Sequence, residues 1–242
     1  FFLEYQYVNY KIKDVDAAAP QTIKDEDSSI VGTSTVSSLT PRITRNTIDN
    51  PLDPTIGSIQ SLGVEIAGLG GNRDFMVWDA SNTFYYPLTD WGNGKLVLSN
   101  RTNYAAGSST PDSKFTSKRL PLFRRFFPGG IDSVRGYDVR DLGPRASGTT
   151  DPIGGSKMFT TNFDLIFPLV TSAGLKGVVF YDIGNAFDEG DSMNFSSMQK
   201  GYGFGLRWKT PLVPIRIEFG FPQNKRPGDS GFVTHFSFGA PL

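Results

Sequence analysis

Apolar and polar residues alternate one by one along most of this chain, and no long stretch repeats with the 3.6-residue period of a helix. Near the C-terminus Phe232, Thr234, Phe236 and Phe238 alternate with Val233, His235 and Ser237. Ile215, Ile217, Phe219 and Phe221 alternate with Arg216, Glu218 and Gly220, and Tyr202, Phe204, Leu206 and Trp208 alternate with Gly203, Gly205, Arg207 and Lys209. Residues 157–169 and 175–187 read as two strands joined by the short VTSAG. Residues 94–107 set Leu96, Leu98 and Tyr104 against Ser99, Arg101 and Asn103; residues 74–88 set Met76, Trp78, Phe84 and Tyr86 against Asp79, Ser81 and Thr83. The rhythm is weaker over 58–69 and 34–48, and over 1–15 it slips phase near Tyr7 and Val8, which predicts a bulge. The resulting count is nine to ten strands, the tenth expected only if one hides within 16–33, where DEDSS reads as loop.

Strands with two unlike faces fit either a water-soluble sandwich or a membrane barrel. Three features favour the barrel. Several segments run to about ten residues or more, the length a tilted strand needs to cross a bilayer. Short and long connections alternate, as they do at the two ends of an outer-membrane barrel. Aromatic residues crowd the strand ends, where interfacial girdles lie: Phe84, Tyr85, Tyr86, Phe167, Trp208 and Phe221. The polar faces moreover carry Arg101, Asp164, Asp182, Arg207, Arg216 and Glu218. Such charges are costly in a dry sandwich core but suit the lumen of a barrel.

Composition narrows the chemistry. The 242 residues hold 24 Lys and Arg against 24 Asp and Glu, which gives no reason to expect a nucleic-acid partner. There is no cysteine for a disulfide or thiolate site, and His235 is the single histidine. A lone histidine on a strand reads as a polar side chain, and it can hardly support a zinc site or a catalytic triad. An enzyme is therefore not expected. No apolar run is long enough for a transmembrane helix. The chain opens FFLEYQY, without methionine and already in strand rhythm, so it reads as part of a longer protein.

One segment breaks the rhythm. Residues 128–145, PGGIDSVRGYDVRDLGPR, are too rich in Gly and Pro for a helix or long strand, yet they pin an arginine between Val134 and Gly136. Together with the preceding RRFF, this segment resembles the long loop of the BamA insertase superfamily, whose signature is a VRGF or VRGY tetrad behind a Gly-Gly pair. FYDIGNAFD and GYGFGLRWKTPLVPIRIEFGFP resemble that family's last strands, and ITRNTIDNPLDPTIGS resembles its Arg-rich strand and Asp-Asn-Pro turn. The resemblance covers about residues 40 to 242. DNPLDPTIGS is more similar to the BamA and TamA branches than to the two-partner secretion transporters of the FhaC type.

The resemblance implies an all-β, antiparallel transmembrane barrel of sixteen strands. The present 1–242 would supply its C-terminal nine or ten, with a long loop (about 107–156) folded into the lumen; POTRA domains and the first strands would lie outside this chain. It implies folding and insertion of β-barrel proteins into the bacterial outer membrane, without nucleotide, metal or other cofactor. The implied partners are unfolded outer-membrane clients, outer-membrane lipids and accessory lipoproteins of an assembly complex. It also implies roles for particular residues. In the tetrad Val134, Arg135, Gly136 and Tyr137, the arginine would meet acids on the inner wall, here Asp164 and Asp182. The residues agree, because both aspartates fall on polar positions between apolar neighbours. A buried guanidinium needs such carboxylates and holds them through its planar fork; its loss would cost on the order of 3 kcal/mol. The last strand, with Phe232, Thr234, Phe236 and Phe238, would form a lateral seam that opens to template an incoming strand. The Gly239, Ala240 and Pro241 that follow it suit a weakly paired edge. A TamA-like assembly factor or an FhaC-type polypeptide transporter is the alternative. Asp164 and Asp182 also mimic a glycosidase carboxylate pair, but on this reading an arginine sits between them.

Overall fold

The long runs of alternation become strands. The computed structural model describes residues 1–110, 119–210 and 212–239. Its described residues form one antiparallel sheet whose spatial order follows the chain. The strands are β1 (Phe2–Tyr10), β2 (Ser34–Asn46), β3 (Gly57–Ala67), β4 (Phe75–Trp91), β5 (Gly94–Ser109), β6 (Lys157–Val170), β7 (Leu175–Phe187), β8 (Gln199–Lys209), β9 (Pro214–Pro222) and β10 (Val233–Phe238). These ten strands account for the alternating segments themselves, so the strand sought within 16–33 is not there. That stretch instead carries two four-residue helices, α1 (Gln21–Lys24) and α2 (Ser28–Val31), the second capped by the Asp27 side chain on Ser29 N–H. Part of the lumen-loop range (111–118) and the residues Ala240, Pro241 and Leu242 lie outside the described residues. Because β5 runs to Ser109, the connection to β6 spans 110–156.

The phase slip near Tyr7 and Val8 is not a bulge. β1 pairs with β2 without interruption from Phe2↔Arg42 to Tyr10↔Ser34. Both faces are apolar there because the inner face of the sheet carries its own core. Val8 lies opposite Val36, which packs with Ala67, Phe75, Val77 and Leu120. The true irregularities fall at Pro87 and Pro168, where proline has no N–H for the ladder.

Elsewhere the two faces are inverted relative to a soluble protein. On β8, Tyr202, Phe204, Leu206 and Trp208 are exposed, whereas Arg207 between the last two is 3% exposed. On β9 Ile217 is exposed, while Arg216 and Glu218 are buried. Charges turn inward and large apolar side chains outward, as a lipid-facing wall around a polar lumen requires. The wall is curved enough for one loop to touch distant strands. Arg124 of the β5–β6 connection reaches Gln6 of β1 and Glu65 of β3, while Arg135 of the same connection reaches Glu218 of β9.

The short connections β4–β5 (92–93), β6–β7 (171–174) and β8–β9 mark one end of the sheet. The β2–β3 connection (47–56) lies at that same end and is longer. Asp49 organises it, accepting hydrogen bonds from Thr55 N (2.9 Å), Thr55 Oγ1 (2.7 Å) and Ile56 N (3.2 Å). Desolvation opposes the charge, but these donors prevail and hold the carboxyl down at about 2. A lowered carboxyl contributes stability above its unfolded value and loses it as pH falls through the folded one, so the turn keeps this tie at neutral pH. From it Asp53 pairs with Lys176 on β7, a bridge across the mouth of the lumen. Both partners are partly solvated, so Asp53→Asn is expected to shift the unfolding midpoint by less than about 1 kcal/mol, measured by denaturant titration in detergent.

Candidate functional site

The segment that broke the sequence rhythm runs through the lumen. Gly129 and Gly130 adopt positive φ, and so does Gly136, at +94°. A Cβ on Gly136 would meet the Phe221 backbone at 2.9 Å, so this glycine supplies both a left-handed turn and close approach to β9. Val134, Tyr137 and Leu142 form a small buried cluster around the turn.

Arg135 is fully buried and spends its whole fork on the wall. Its Nε donates to Asp182 Oδ2 (2.7 Å) and its Nη2 to Asp182 Oδ1 (2.6 Å) and Asp164 Oδ1 (2.6 Å). Nη1 donates to Glu218 Oε2 (2.8 Å), and its own backbone N–H to Asp182 Oδ2 (2.9 Å). The guanidinium carbon sits 3.6 Å from the centre of the Phe180 ring, adding a cation–π contact. Arg207 closes the array by donating to Asp164 Oδ2 (2.7 Å) and Glu218 Oε1 (2.8 Å). Arg216 borders it, 3.4 Å from Glu218 and 3.3 Å from Asp132. Three arginines thus meet three buried carboxylates, and the charges balance within the array. A cavity of about 150 Å³ beside this array is lined by Tyr85, Arg101 and Asn162, among others.

Backbone shape admits the loop. A Cβ on Gly201 of β8 would lie 1.9 Å from Arg135 O, and one on Gly220 of β9 would lie 2.3 Å from Gly136 N. The bare glycines of β8 and β9 therefore form the bed in which the tetrad lies. Tyr137 continues the seating: its hydroxyl is 3.0 Å from Asn224 O and 3.1 Å from Lys200 O. Arg226, from the β9–β10 connection, lies 5.4 Å over the Tyr137 ring and pairs with Asp141 and Asp229. Arg145 shares those two acids. Because Arg226 also holds both, Arg145→Ala is expected to cost less than about 1 kcal/mol, read as a small shift in the unfolding midpoint.

The residues singled out from sequence fall in two groups. Val134, Arg135, Gly136, Tyr137, Asp164 and Asp182 come together at one place in the lumen. Thr234, Phe236 and Phe238 lie on the outer face of β10, exposed and away from it, and Phe232 precedes the strand and packs on Phe221 (6.2 Å between ring centres). Four participants were missed: Arg207 and Arg216, read only as inward-facing charges, and Glu218 and His235. Glu218 was read as inward-facing, but only the register of β9 brings it under Arg135. His235, read as a plain polar side chain, accepts a hydrogen bond at Nε2 from Gly136 N (3.0 Å). Its signal was its position: it is a polar side chain between Thr234 and Phe236 on the inward phase of the last strand.

A curved antiparallel sheet with an apolar outside, a charged inside and a loop bound through its lumen defines a β-barrel of the outer-membrane type. The chain belongs to the Omp85 superfamily, whose domain matches residues 2–241. It is 32% identical over 237 residues to the outer membrane protein assembly factor BamA of Nitratidesulfovibrio vulgaris, covering 97% of this chain and 28% of that protein. With BamA of Neisseria meningitidis the identity is 26% over 224 residues, 80% of this chain and 27% of that protein. The chain thus spans under a third of the length of these relatives. The crystal structure of BamA from Haemophilus ducreyi lacking POTRA domains 1–3 has the same fold, with a TM-score of 0.72 at 20% identity over 85% of this chain and 43% of that one.

Proposed function

We propose that the protein containing this chain folds and inserts β-barrel proteins into the bacterial outer membrane, in which it is itself embedded. Its work is strand templating rather than covalent chemistry, and it uses no nucleotide, metal or cofactor. When the seam opens, the last strand offers its freed edge to an incoming strand, whose backbone N–H and C=O groups continue the ladder. Its partners are unfolded barrel clients, the surrounding lipids and accessory lipoproteins. Family membership and the BamA relatives support this reading; the single observation that carries it is the disparity between strands. β10 has 6 residues, against 17 in β4 and 16 in β5. Its six pairs to β9 make the shortest ladder among the described strands, and a strand this short has few bonds to offer any partner on its other edge, so a seam there opens at low cost.

The test is a disulfide in the full-length protein, joining a cysteine at Ser237 to one on the strand that closes the barrel against β10. The locked protein is expected to stop assembling clients and to recover on reduction. Full activity of the oxidised form would refute the lateral seam and favour passage of polypeptide through the lumen instead, as in a two-partner secretion transporter.

A further inference from the structure

The last strand is tied to the lumen loop as well as to β9. Adjacent residues of the tetrad hold facing positions on the last two strands: Arg135 binds Glu218 on β9, and Gly136 N–H binds His235 on β10. Glu218 and His235 are themselves register partners. A backbone N–H can only donate, so Nε2 of His235 must carry its lone pair there, and the ring is the neutral form with its proton on Nδ1. The imidazole is 4% exposed, so water cannot readily replace either partner.

We propose that His235 is a positioning residue that transmits the seating of the tetrad loop to the last strand, and that it does so only while its ring is neutral. This rests on the reading of β10 as the working edge. Protonation at Nε2 sets two N–H donors head to head and abolishes the bond. The charged groups around the ring pull in both directions: Glu218 on β9, Asp138 on the loop and Asp182 on β7 attract an imidazolium, while Arg135 on the loop repels it. Of these acids Glu218 and Asp182 are already engaged by Arg135, so a charged ring competes with the tetrad for its partners. Lifting the loop and charging the histidine therefore have one consequence: among the described hydrogen bonds, β10 keeps its pairing with β9 and the Gly239 N–H bond to Pro214 O but loses its tie to the loop. In this arrangement the lumen loop sets how firmly the edge strand is held.

The experiment compares the full-length wild type, His235→Gln and His235→Leu in lipid nanodiscs by hydrogen–deuterium exchange. Rates are corrected for the intrinsic effect of pH, and the folded barrel is verified by its heat-dependent gel mobility. Glutamine offers an acceptor oxygen whatever the pH; leucine offers none. At about pH 7.5, leucine is expected to speed exchange in residues 134–137 and 233–238 by about threefold to tenfold, as loss of one buried hydrogen bond predicts. The wild type is expected to show the same increase once the pH, lowered stepwise, is acid enough to charge this buried ring, while the glutamine variant stays slow throughout. Wild-type protection of β10 in the leucine variant, equal loss in the glutamine and leucine variants, or a wild type insensitive to pH would each overturn the proposal. Client assembly by the same samples separates the two readings. Altered exchange with unaltered assembly removes β10 as the working edge and leaves the tie intact.

Discussion

Arg135→Ala is expected to destabilise the folded barrel by about 3–5 kcal/mol, the cost of stripping a buried ion array of one partner. The loss is uneven among the acids. Asp164 keeps Arg207, and Glu218 keeps Arg207 and Arg216. Asp182, fully buried, receives its hydrogen bonds from Arg135 alone among the described contacts: Nε, Nη2 and the backbone N–H. Without the guanidinium it retains at most that backbone donor and becomes a nearly unpaired charge in the wall. Two companion variants follow. Arg135→Lys brings one compact charge in place of a fork that meets three carboxylates, and should fall between wild type and alanine. Arg135→Ala combined with Asp182→Ala removes both members, so the double variant should be more stable than the sum of the single losses implies, by about 1–3 kcal/mol. Denaturant titration in detergent micelles measures all three. Additive losses, or an alanine variant within about 1 kcal/mol of wild type, would mean that the array does not hold the loop.

Gly201→Ala should be nearly as damaging, although it adds a single methyl group. The new Cβ would lie 1.9 Å from a main-chain oxygen, that of Arg135, and a backbone atom cannot swing aside as a side-chain tip can. Either β8 or the loop must shift, and the loop, carried on glycines at 129, 130 and 136, is the more pliable. Lifting it breaks the ties of Arg135 to three strands and the bond from Gly136 to His235. The expected cost is about 2–4 kcal/mol, at or above the usual range for overpacking, because the clash is propagated into the ion array. Limited proteolysis supplies a second readout, since a displaced loop exposes residues 120–156 to cleavage. Gly190→Ala, where a Cβ meets nothing within 4 Å, should stay within about 0.5 kcal/mol of wild type. Equal protease resistance of the two alanine variants would show that the bed of β8 and β9 does not require its glycine.

Much of this architecture was legible in the residues because strand rhythm is local. A period of two marks each wall segment, and Gly-Pro clusters mark the breaks. Asp164 and Asp182 stood out because a charge between apolar neighbours on a strand must face the lumen. The failures are equally physical. The phase slip in β1 looked like a bulge because an inner face lined by Val8 and Tyr10 is apolar, where the lumen is filled by Leu120 and Phe123. Helices of four residues within 16–33 are too short to show a period. Phe232 carried the alternation but lies one residue before β10.

The order of apolar and polar residues was enough to define the strands, the inner and outer faces of most of them and the presence of a long Gly- and Pro-rich loop, since each depends on neighbours a few positions apart. Which groups the loop would meet depended on register and curvature. Glu218 lies 83 positions from Arg135 and His235 lies 99 from Gly136. They converge because ten strands pair in one order and bend around a common lumen, and no local pattern encodes which side chains such a curve brings face to face.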